Sequence, residues 1–408
     1  MLFMKTRYKT LTGLLLIVQL VCAQNTVDND FSFLGTSFDD SWKVNSFKIE
    51  TDALVGSNSI NTQMFSDVLF GSTFTPSAKA TFLDLQSNKV NTYGFVRTRA
   101  EYKVSKTVAI YLKQTEQLGF SVDKNFGSLL VWGNSPFKGE EVSSPSLSYL
   151  NASTLSIGAS LNHLSSEKWK IKGSYGINVL NHLSQVSANT LSIYTSPNGD
   201  YIDVEASNLS LSQEGKGIVG VGFDADFEVR YFIDSVNTIS IKALDFNFNF
   251  LINQDYLYVD TSLRYTGYTY KVLENRGSIL DETDSTIRSE LEKGTKRKNY
   301  LVLPSRLQLA WMHKMDEAND LALRVESISI GNLAVYGEVR YGHQFSKNLK
   351  LVSSLGFGNF TGLLWSEDLE FKAKEKYSLF ISLRNMNSLL MAEKVKSYGF
   401  ALGAALNI

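Results

Sequence analysis

The chain has 408 residues and a formal net charge of −1 at pH 7, with 43% hydrophobic and 20% charged residues. This length allows one large domain or two to three ordinary ones, and the near-neutral charge argues against nucleic acid as a partner. Aromatic residues make up 12% of the chain, which contains 28 glycines but only 5 prolines and 1 cysteine. This mixture favours strands over helices.

Residues 1–23 have the pattern of a secretory signal peptide. Lys5, Arg7 and Lys9 precede an apolar run, and Ala23 supplies the small residue of a cleavage site. The apolar run is too short to span a bilayer comfortably, so we expect no membrane anchor here. Cleavage would remove the only cysteine and leave 37 basic against 41 acidic side chains, so the mature chain would have no thiol chemistry.

Beyond residue 23, no stretch reaches the roughly 18 consecutive apolar residues that a membrane-spanning helix needs. Alternation of apolar and other residues recurs instead, in segments of about ten residues, as in the strands of a membrane β-barrel. The clearest segments are residues 92–104, 154–162, 169–177, 221–231, 303–315, 333–343, 349–358 and 397–408. A short polar turn at residues 165–167 joins the second and third segments into a hairpin.

The last segment, "SYGFALGAALNI", shows the alternation most clearly. One face carries Tyr398, Phe400, Leu402, Ala404, Leu406 and Ile408, and the other carries only serine, glycine, alanine and asparagine. The strands of a soluble β-sandwich also alternate, but they usually present a polar face to water. The face of small residues, which we call the bare face, therefore favours a closed barrel over a sandwich, with the apolar face in lipid.

Aromatic residues near the strand ends lie on the apolar faces. They suit the girdles that mark the two membrane interfaces of a barrel, although packing in a soluble core would explain them equally well. The five residues are Tyr102, Trp169, Tyr231, Trp311 and Tyr341.

Two rows of charged residues occupy the faces opposite the apolar ones. We predict that these rows face the lumen, because a basic side chain at the bilayer midplane of a barrel costs about 2–4 kcal/mol. The eight candidates are Arg97, Arg99, Glu101, Lys103, Asp224, Asp226, Glu228 and Arg230. They could form a polar constriction that selects a solute, or a cross-strand ladder of ion pairs that rigidifies and seals the barrel. Because both signs of charge are mixed in each row, the pattern favours the ladder.

Three regions depart from the alternation. Residues 31–74 combine one plausible strand, near 47–55, with a short helical pattern, and we predict a partial plug in the lumen. The charge-dense residues 271–299 predict either a solvent-facing helix in a long loop or a flexible charged loop. The sequence Pro-Asn-Gly-Asp at 197–200 predicts a tight hairpin turn.

The order of these pieces resembles the outer-membrane barrels of Bacteroidota of the PorV and PorP/SprF kind, and more closely a related barrel family without an assigned activity. Six segments carry the resemblance: "GIVGVGFDADFEVRY", "ALDFNFNF", "DSTIRSELEKG", "NYLVLPSRLQLAWMHKM", "SLFISLRNMNSLL" and "SYGFALGAALNI". The resemblance implies an outer-membrane barrel of about 14 strands over residues 24–408, with a plugged lumen and a fatty-acid-transporter-like fold. Outer-membrane lipid and the barrel-assembly machinery, through the C-terminal strand, would be its partners.

Two functions follow from this resemblance and from the long predicted loops. The first hypothesis is a barrel that docks or shuttles a secreted or surface protein, as in type IX secretion. The alternative is a plugged transport barrel that passes small or hydrophobic molecules. Loops such as 134–147 and 271–299 favour docking, whereas an open lumen or a gap beside the plug would favour transport.

The sequence offers little to catalysis or metal binding. The four histidines are scattered, and we expect no metal site, no cofactor and no enzymatic activity. A barrel hydrolase could assemble a serine and a histidine on neighbouring strands. However, alternation places Ser156 and Ser160 on the face opposite His163, which argues against such a site.

Overall fold

A computed structural model describes residues 44–61, 63–64, 76, 79–80, 82, 88–212, 217–252, 255–265, 295–297, 300–330, 332–358, 362–373, 377–390 and 395–407. The predicted signal peptide lies outside these residues, as does most of the charged segment 271–299. No helix in the part of the chain that the structure describes is long and apolar enough to cross a membrane.

Strands dominate the described residues, which form twenty of them and two α-helices. The strands are β1 (Ser46–Ser57), β2 (Lys89–Lys103), β3 (Val108–Asp123), β4 (Glu141–Ser144), β5 (Leu147–Ser165), β6 (Trp169–Ala188), β7 (Thr190–Thr195), β8 (Ile202–Ser212), β9 (Gly220–Phe232), β10 (Asn237–Leu251), β11 (Asp255–Tyr265), β12 (Thr295–Arg297), β13 (Tyr300–Val302), β14 (Arg306–Lys314), β15 (Asn319–Ile330), β16 (Asn332–Ser346), β17 (Leu349–Gly358), β18 (Gly362–Ala373), β19 (Tyr377–Arg384) and β20 (Ser397–Asn407). The helices are α1 (Lys124–Trp132) and α2 (Asn387–Leu390).

Fourteen of the strands close into an antiparallel barrel. Around the wall they follow the order β1, β2, β3, β5, β6, β9, β10, β14, β15, β16, β17, β18, β19 and β20. The barrel closes because β1 pairs with β20 as well as with β2. The predicted barrel is thus confirmed and the sandwich alternative is wrong, since each of the fourteen wall strands pairs with a neighbour on both sides.

The last strand, β20, places its two faces as the alternation predicts. Its bare positions share register with the inward-facing residues of β1, as when Ala401 pairs with Asp52. Ala401 is fully buried inside the barrel, whereas its neighbour Phe400 is 41% exposed on the outer face. The outer face of the other strands is mostly apolar, with Phe357, Ile157 and Ile177 each at least 61% exposed, although Gln114 and Glu116 also lie on the outer face of β3. A predominantly apolar outer surface of this kind needs hydrocarbon around it.

The two ends of the barrel differ in the length of their connections. One end, where Ser46 pairs with Asn407, is closed by turns of two to four residues. The opposite end has the four longest connections, at residues 58–88, 124–146, 189–219 and 252–305. Membrane barrels have short periplasmic turns and long extracellular loops. We therefore name these ends periplasmic and extracellular.

The aromatic residues predicted as a girdle lie on the outer face at the periplasmic end. Trp169 and Tyr231, on neighbouring strands, have ring centroids 4.5 Å apart, and the Trp311 ring stacks on His313. Tyr341 donates a hydrogen bond to Asn319 near the same rim. Amphipathic rings at this level suit the boundary between headgroups and hydrocarbon.

A smaller sheet extends the wall at the extracellular end. It consists of β4, β7, β8, β11 and β12, and β8 also pairs with the end of β6. The predicted turn at residues 197–200 is confirmed, because it connects β7 to β8 with Gly199 at a φ of 80°. Only glycine adopts this backbone conformation at little cost.

Helix α1 lies on the outer side of the wall near the extracellular end. Phe126 and Leu129 of α1 form a cluster with Val90 and Val122, which face outward on β2 and β3. Met64 belongs to the same cluster. The helix begins after Asp123, whose side chain accepts a hydrogen bond from the Asn125 backbone N–H.

The predicted plug is wrong for part of its length. Residues 46–57 form β1 and belong to the wall. Their alternation places Glu50 and Asp52 toward the bore, and Thr51 and Ala53 toward lipid. The strand predicted near 47–55 is therefore confirmed, but as a barrel strand. The helical pattern that follows it falls largely outside the described residues, and a plug there stays a prediction.

Candidate functional site

The eight predicted charged residues occupy inward-facing positions on two strands of the wall. Each is at most 9% exposed, whereas the apolar residues between them face lipid. The residues are Arg97, Arg99, Glu101 and Lys103 on β2, and Asp224, Asp226, Glu228 and Arg230 on β9. Strands β2 and β9 are not neighbours, since β3, β5 and β6 lie between them.

The two charged rows nevertheless meet, because side chains reach across the bore. Arg99 Nη1 lies 2.9 Å from Asp226 Oδ2. The same guanidinium donates to the Ser160 and Ser174 hydroxyls on the intervening strands β5 and β6. Arg99 also pairs with Glu101 on its own strand at 3.0 Å. A ladder between adjacent strands would not make such contacts, so the ion pairs here span the bore.

Small residues on the intervening strands make this reach possible. Gly158 on β5 pairs with Gly176 on β6, and the Tyr111 side chain from β3 lies over both. A Cβ atom on residue 176 would lie 2.5 Å from the Tyr111 hydroxyl oxygen. From this position Tyr111 donates a 2.9 Å hydrogen bond to Asp224, and the Arg99 guanidinium stacks on its ring at 4.1 Å.

Lys113 on β3 connects three carboxylates. Its side chain is fully buried, and Nζ lies 2.7 Å from Asp224, 3.2 Å from Asp226 and 3.4 Å from Asp245. A buried ammonium needs such partners, because an uncompensated buried charge costs several kcal/mol. The strand pattern does not single out Lys113, since it alternates with apolar residues as any inward-facing residue does.

Asp245 is a central residue that sequence reasoning missed. It lies in a β-bulge of β10, where the register shifts between Ala243 and Phe246, and it has a φ of 60°. Its carboxylate lies 2.8 Å from Arg306, and its backbone N–H donates to Asp226. A signal was available, because the apolar positions change from odd to even numbers between Ala243 and Phe246. An inserted residue that breaks the alternation is the signature of a bulge.

Asp52 on β1 is a second central carboxylate that sequence reasoning missed. It lies 3.1 Å from Arg384, 3.4 Å from Arg306 and 3.8 Å from Arg97. Strand β20 separates β19, which carries Arg384, from β1. Its bare inner face, with Ala401 directly between the two strands, leaves the space through which Arg384 reaches Asp52.

These residues together form a charged belt across the bore. The name refers to Asp52, Arg97, Arg99, Lys113, Asp224, Asp226, Asp245, Arg306 and Arg384. The belt has five basic and four acidic members, contributed by seven strands. Of the eight predicted residues, four belong to it; Glu101, Lys103, Glu228 and Arg230 lie toward the periplasmic end.

A second group of ion pairs runs along the opposite wall. Arg324 on β15 pairs with Glu338 on β16 at 2.9 Å, and Arg340 contacts both Glu338 and Asp368 on β18. The Tyr336 hydroxyl donates to Glu326 at 2.6 Å. Two of these four contacts join the neighbouring strands β15 and β16, one lies within β16 and one passes over β17. The bore therefore contains short-range pairs along this side and cross-bore pairs on the other.

Two spaces lie along the bore, the upper one on the extracellular side of the charged belt and the lower one lined in part by the belt itself. The upper one, about 370 Å³ in volume, is lined by Ser121, Leu150, Gln185 and residues 301–305, among others. The segment 301–305 enters the bore, where the Pro304 carbonyl accepts a 2.9 Å hydrogen bond from Gln117 on β3. The lower space, about 120 Å³, is lined almost entirely by charged residues.

An apolar cluster borders the upper space. Its buried members are Ala152, Leu180, Leu183, Val219, Tyr256, Leu301 and Leu303. Leu180 and Leu183 take inward-facing positions because a bulge in β6 shifts the alternation between them. From the extracellular side, the bore thus changes from apolar and neutral to fully charged.

The histidines and the serines considered for catalysis do not meet. Ser156 and Ser160 are buried on the inner face, whereas His163 contacts the Tyr175 hydroxyl on the outer face at 2.9 Å. Among the residues that the structure describes, no group of three or more histidine, cysteine, aspartate or glutamate side chains could hold a metal ion.

No family model and no curated protein matches the chain. Solved structures do resemble it in overall arrangement. The toluene transporter TodX of Pseudomonas putida has a TM-score of 0.43 at 8% identity, with 90% of this chain and 91% of that chain covered. A Pseudomonas aeruginosa FadL homologue has a TM-score of 0.42 at 10% identity, with the same coverage. The toluene transporter TbuX of Ralstonia pickettii has a TM-score of 0.41 at 6% identity, with 90% of each chain covered.

Likeness at this level does not identify a solute for this chain. The resemblance to PorV and PorP/SprF barrels stays a prediction.

Proposed function

We propose that this protein is an outer-membrane transport barrel that passes small molecules, with the charged belt as its closed gate. The position of the belt carries this proposal, because its ion pairs cross the bore below the upper space and line the lower one. The upper space of about 370 Å³ falls in the range of roughly 300–1,000 Å³ that is typical of small-molecule sites. Of the two hypotheses from the sequence, the geometry of the bore supports transport better than docking.

The belt suits a gate because its contacts can be exchanged for water. Cross-bore ion pairs such as Arg99–Asp226 and Arg306–Asp52 gain Coulomb energy but lose hydration, so their net contribution is small. Rotation of the Arg99 and Arg306 side chains breaks no backbone hydrogen bond of the wall, and Asp226 can keep the hydrogen bond that it accepts from the Asp245 backbone N–H. Closed and open arrangements can then differ by a few kcal/mol while the barrel itself stays intact.

Conductance in planar lipid bilayers tests the proposal. Arg306 contacts Asp52, Asp245 and Glu326, so Arg306→Ala removes the side chain that connects most of the belt. We expect about a tenfold rise in open probability for Arg306→Ala over the unaltered protein, from a loss of about 1.4 kcal/mol in gating energy. Arg264→Ala is the matched control, because Arg264 pairs with Asp203 outside the bore and its removal should leave conductance unchanged.

Circular dichroism and resistance to heat in detergent would show that both variants form barrels. Correctly folded protein that passes no ions or sugars in either form would contradict the proposal.

Docking of a secreted or surface protein remains a second candidate, favoured by the extracellular sheet. That sheet presents the exposed turn at Asp200 beyond the barrel. A photo-crosslinker attached at Asp200→Cys, used in native outer membranes, should capture a protein partner if docking occurs. The matched site is Glu167→Cys in a periplasmic turn. Equal capture from both sites, or none, would count against docking at the sheet.

A further inference from the structure

The periplasmic end of the bore is strongly basic. Among the three residues at the periplasmic end of each of the fourteen barrel strands, the inward-facing described positions include seven basic and two acidic residues. The basic residues, which we name the periplasmic ring, are Lys48, Lys103, Lys170, Arg230, Lys314, Lys350 and Lys372. The acidic ones are Glu101 and Asp320. This excess contrasts with the formal net charge of −1 for the whole chain.

The ring contains like charges in direct opposition. Lys170 on β6 and Arg230 on β9 are register partners, so two basic side chains leave the wall side by side. Like charges directly opposite each other destabilise a sheet. Arg230 pairs with Glu228 at 3.1 Å, but Glu228 is also held by Lys242 at 2.9 Å. Glu228 therefore serves at least two cations, while Lys170 lies over the Phe232 ring at 5.6 Å and both Lys170 and Arg230 make further contacts.

The cavity of about 120 Å³ continues this excess into the bore. Eight basic and six acidic residues line it. Its carboxylates are already shared, since Glu101 lies within 3.5 Å of both Arg99 and Lys172. Arg324, which also lines the cavity, is only 3% exposed, yet its Nε and Nη1 groups have no hydrogen-bond partner among the residues that the structure describes. Buried donors without partners are costly, and the oxygens of an anion would satisfy them.

We propose that the periplasmic ring and this cavity form a binding site for small anionic solutes that carry a carboxylate or phosphate group. Rings of lysine and arginine are the usual device of anion- and phosphate-selective pores. Guanidinium groups match the planar geometry of a carboxylate or the faces of a phosphate. This inference deepens the proposed function by naming the class of solute. Anion selectivity during passage rests on the proposed transport function, whereas anion binding does not.

Ion selectivity tests the passage part of the inference. Under a tenfold gradient of potassium chloride across a planar bilayer, the reversal potential should show that chloride permeates in preference to potassium. The double variant Lys170→Gln/Arg230→Gln should lower the chloride-to-potassium permeability ratio about fivefold, because charged clefts raise the local concentration of counter-ions. Lys106→Gln, in an exposed periplasmic turn, is the matched control and should leave the ratio unchanged. Preference for potassium, or no preference, would overturn the inference.

Binding of inorganic phosphate gives a readout that needs no conductance. Phosphorus NMR of the detergent-solubilised full-length protein should show line broadening that saturates with phosphate, and Arg324→Gln should weaken this binding about tenfold. A control variant, Arg264→Gln, should bind as the unaltered protein does. Phosphate binding without any conductance would refute the proposed transport function and leave the inference standing.

Conductance without chloride selectivity and without phosphate binding would refute the inference and leave the proposed transport function standing. Retention of an acidic periplasmic protein in place of phosphate would also overturn the inference.

Discussion

Arg99 on β2 and Asp226 on β9 form an ion pair of 2.9 Å across the bore, although three strands separate them along the wall. The pair exists because Ser160 and Ser174 on the strands between them are small and hydroxylated, and both accept hydrogen bonds from Arg99. The interior of this barrel is therefore organised by contacts through its centre as well as along its wall.

A double-mutant cycle should measure the strength of this cross-bore pair. For Arg99→Ala and Asp226→Ala, we expect a coupling energy of about 2 kcal/mol, because both partners are buried in a low dielectric. The exposed pair Arg264–Asp203, which has the same chemistry at 2.7 Å, should couple by less than about 1 kcal/mol. Urea unfolding in lipid vesicles, followed by tryptophan fluorescence, gives both values. Equal coupling in the two pairs would contradict the cross-bore organisation.

Gly176→Ala should displace the Tyr111 side chain from its position over Gly158 and Gly176. The added methyl group would lie 2.5 Å from the Tyr111 hydroxyl and 2.7 Å from the Ile157 carbonyl oxygen, so Tyr111 must move away from Asp224. We expect a loss of about 2 kcal/mol in the free energy of unfolding, as for other overpacked sites. Gly94→Ala is the matched control, since its nearest contact is 3.5 Å, and it should change stability by less than about 0.5 kcal/mol. Similar losses for both variants would show that close contact is not the cause.

Ala401→Leu should disrupt the bare inner face of β20. Ala401 is fully buried between Asp52 and Ser382 in the register, where a leucine would occupy the path of Arg384 to Asp52. We expect destabilisation by about 1–3 kcal/mol in urea unfolding. Ala404→Leu, on the lipid-facing side of the same strand, should be neutral or slightly stabilising, because added apolar surface enters hydrocarbon. A larger loss at 404 than at 401 would reverse the assignment of the two faces.

The periplasmic turn between β9 and β10 should lose stability in acid. The Asn237 side-chain amide and the backbone N–H groups of Val236 and Asn237 hold the pKa of Asp234 below its ordinary value. Because the folded pKa is depressed, this stabilisation is complete above the unfolded value of about 4 and is lost as pH falls through the folded value.

Hydrogen exchange of Val236 and Asn237 measures this effect. Their protection in the unaltered protein should exceed that in Asp234→Asn near neutral pH, and the difference should shrink below about pH 4. The turn between β5 and β6 is an internal control, since its acceptor is the Ser166 hydroxyl and carries no titrating charge. A difference between the two proteins that stays constant down to pH 2 would refute the role of the Asp234 carboxylate.

Strand faces were predictable because alternation is a local property of the backbone. The lipid-facing and bore-facing sides of β2, β9 and β20 follow from sequence, since each residue points opposite to its neighbours. The plug prediction failed for residues 46–57 because the segments around this strand are irregular. The strand's own sequence does not show whether it pairs into the wall or lies inside the lumen. The bulge at Asp245 left a trace in the change of parity, but the roles of Asp52 and Lys113 left none.

The sequence by itself determined that this chain forms alternating strands with an apolar side and a charged or bare side. Successive side chains of a strand point to opposite faces whatever the strand packs against. Only the tertiary structure decided which charges meet. Closure of the sheet brings Asp52, Arg306 and Arg384 within contact distance, although they lie far apart in the chain. Those distances depend on the diameter of the bore and on the small residues that leave room within it, and neither is a property of any single strand.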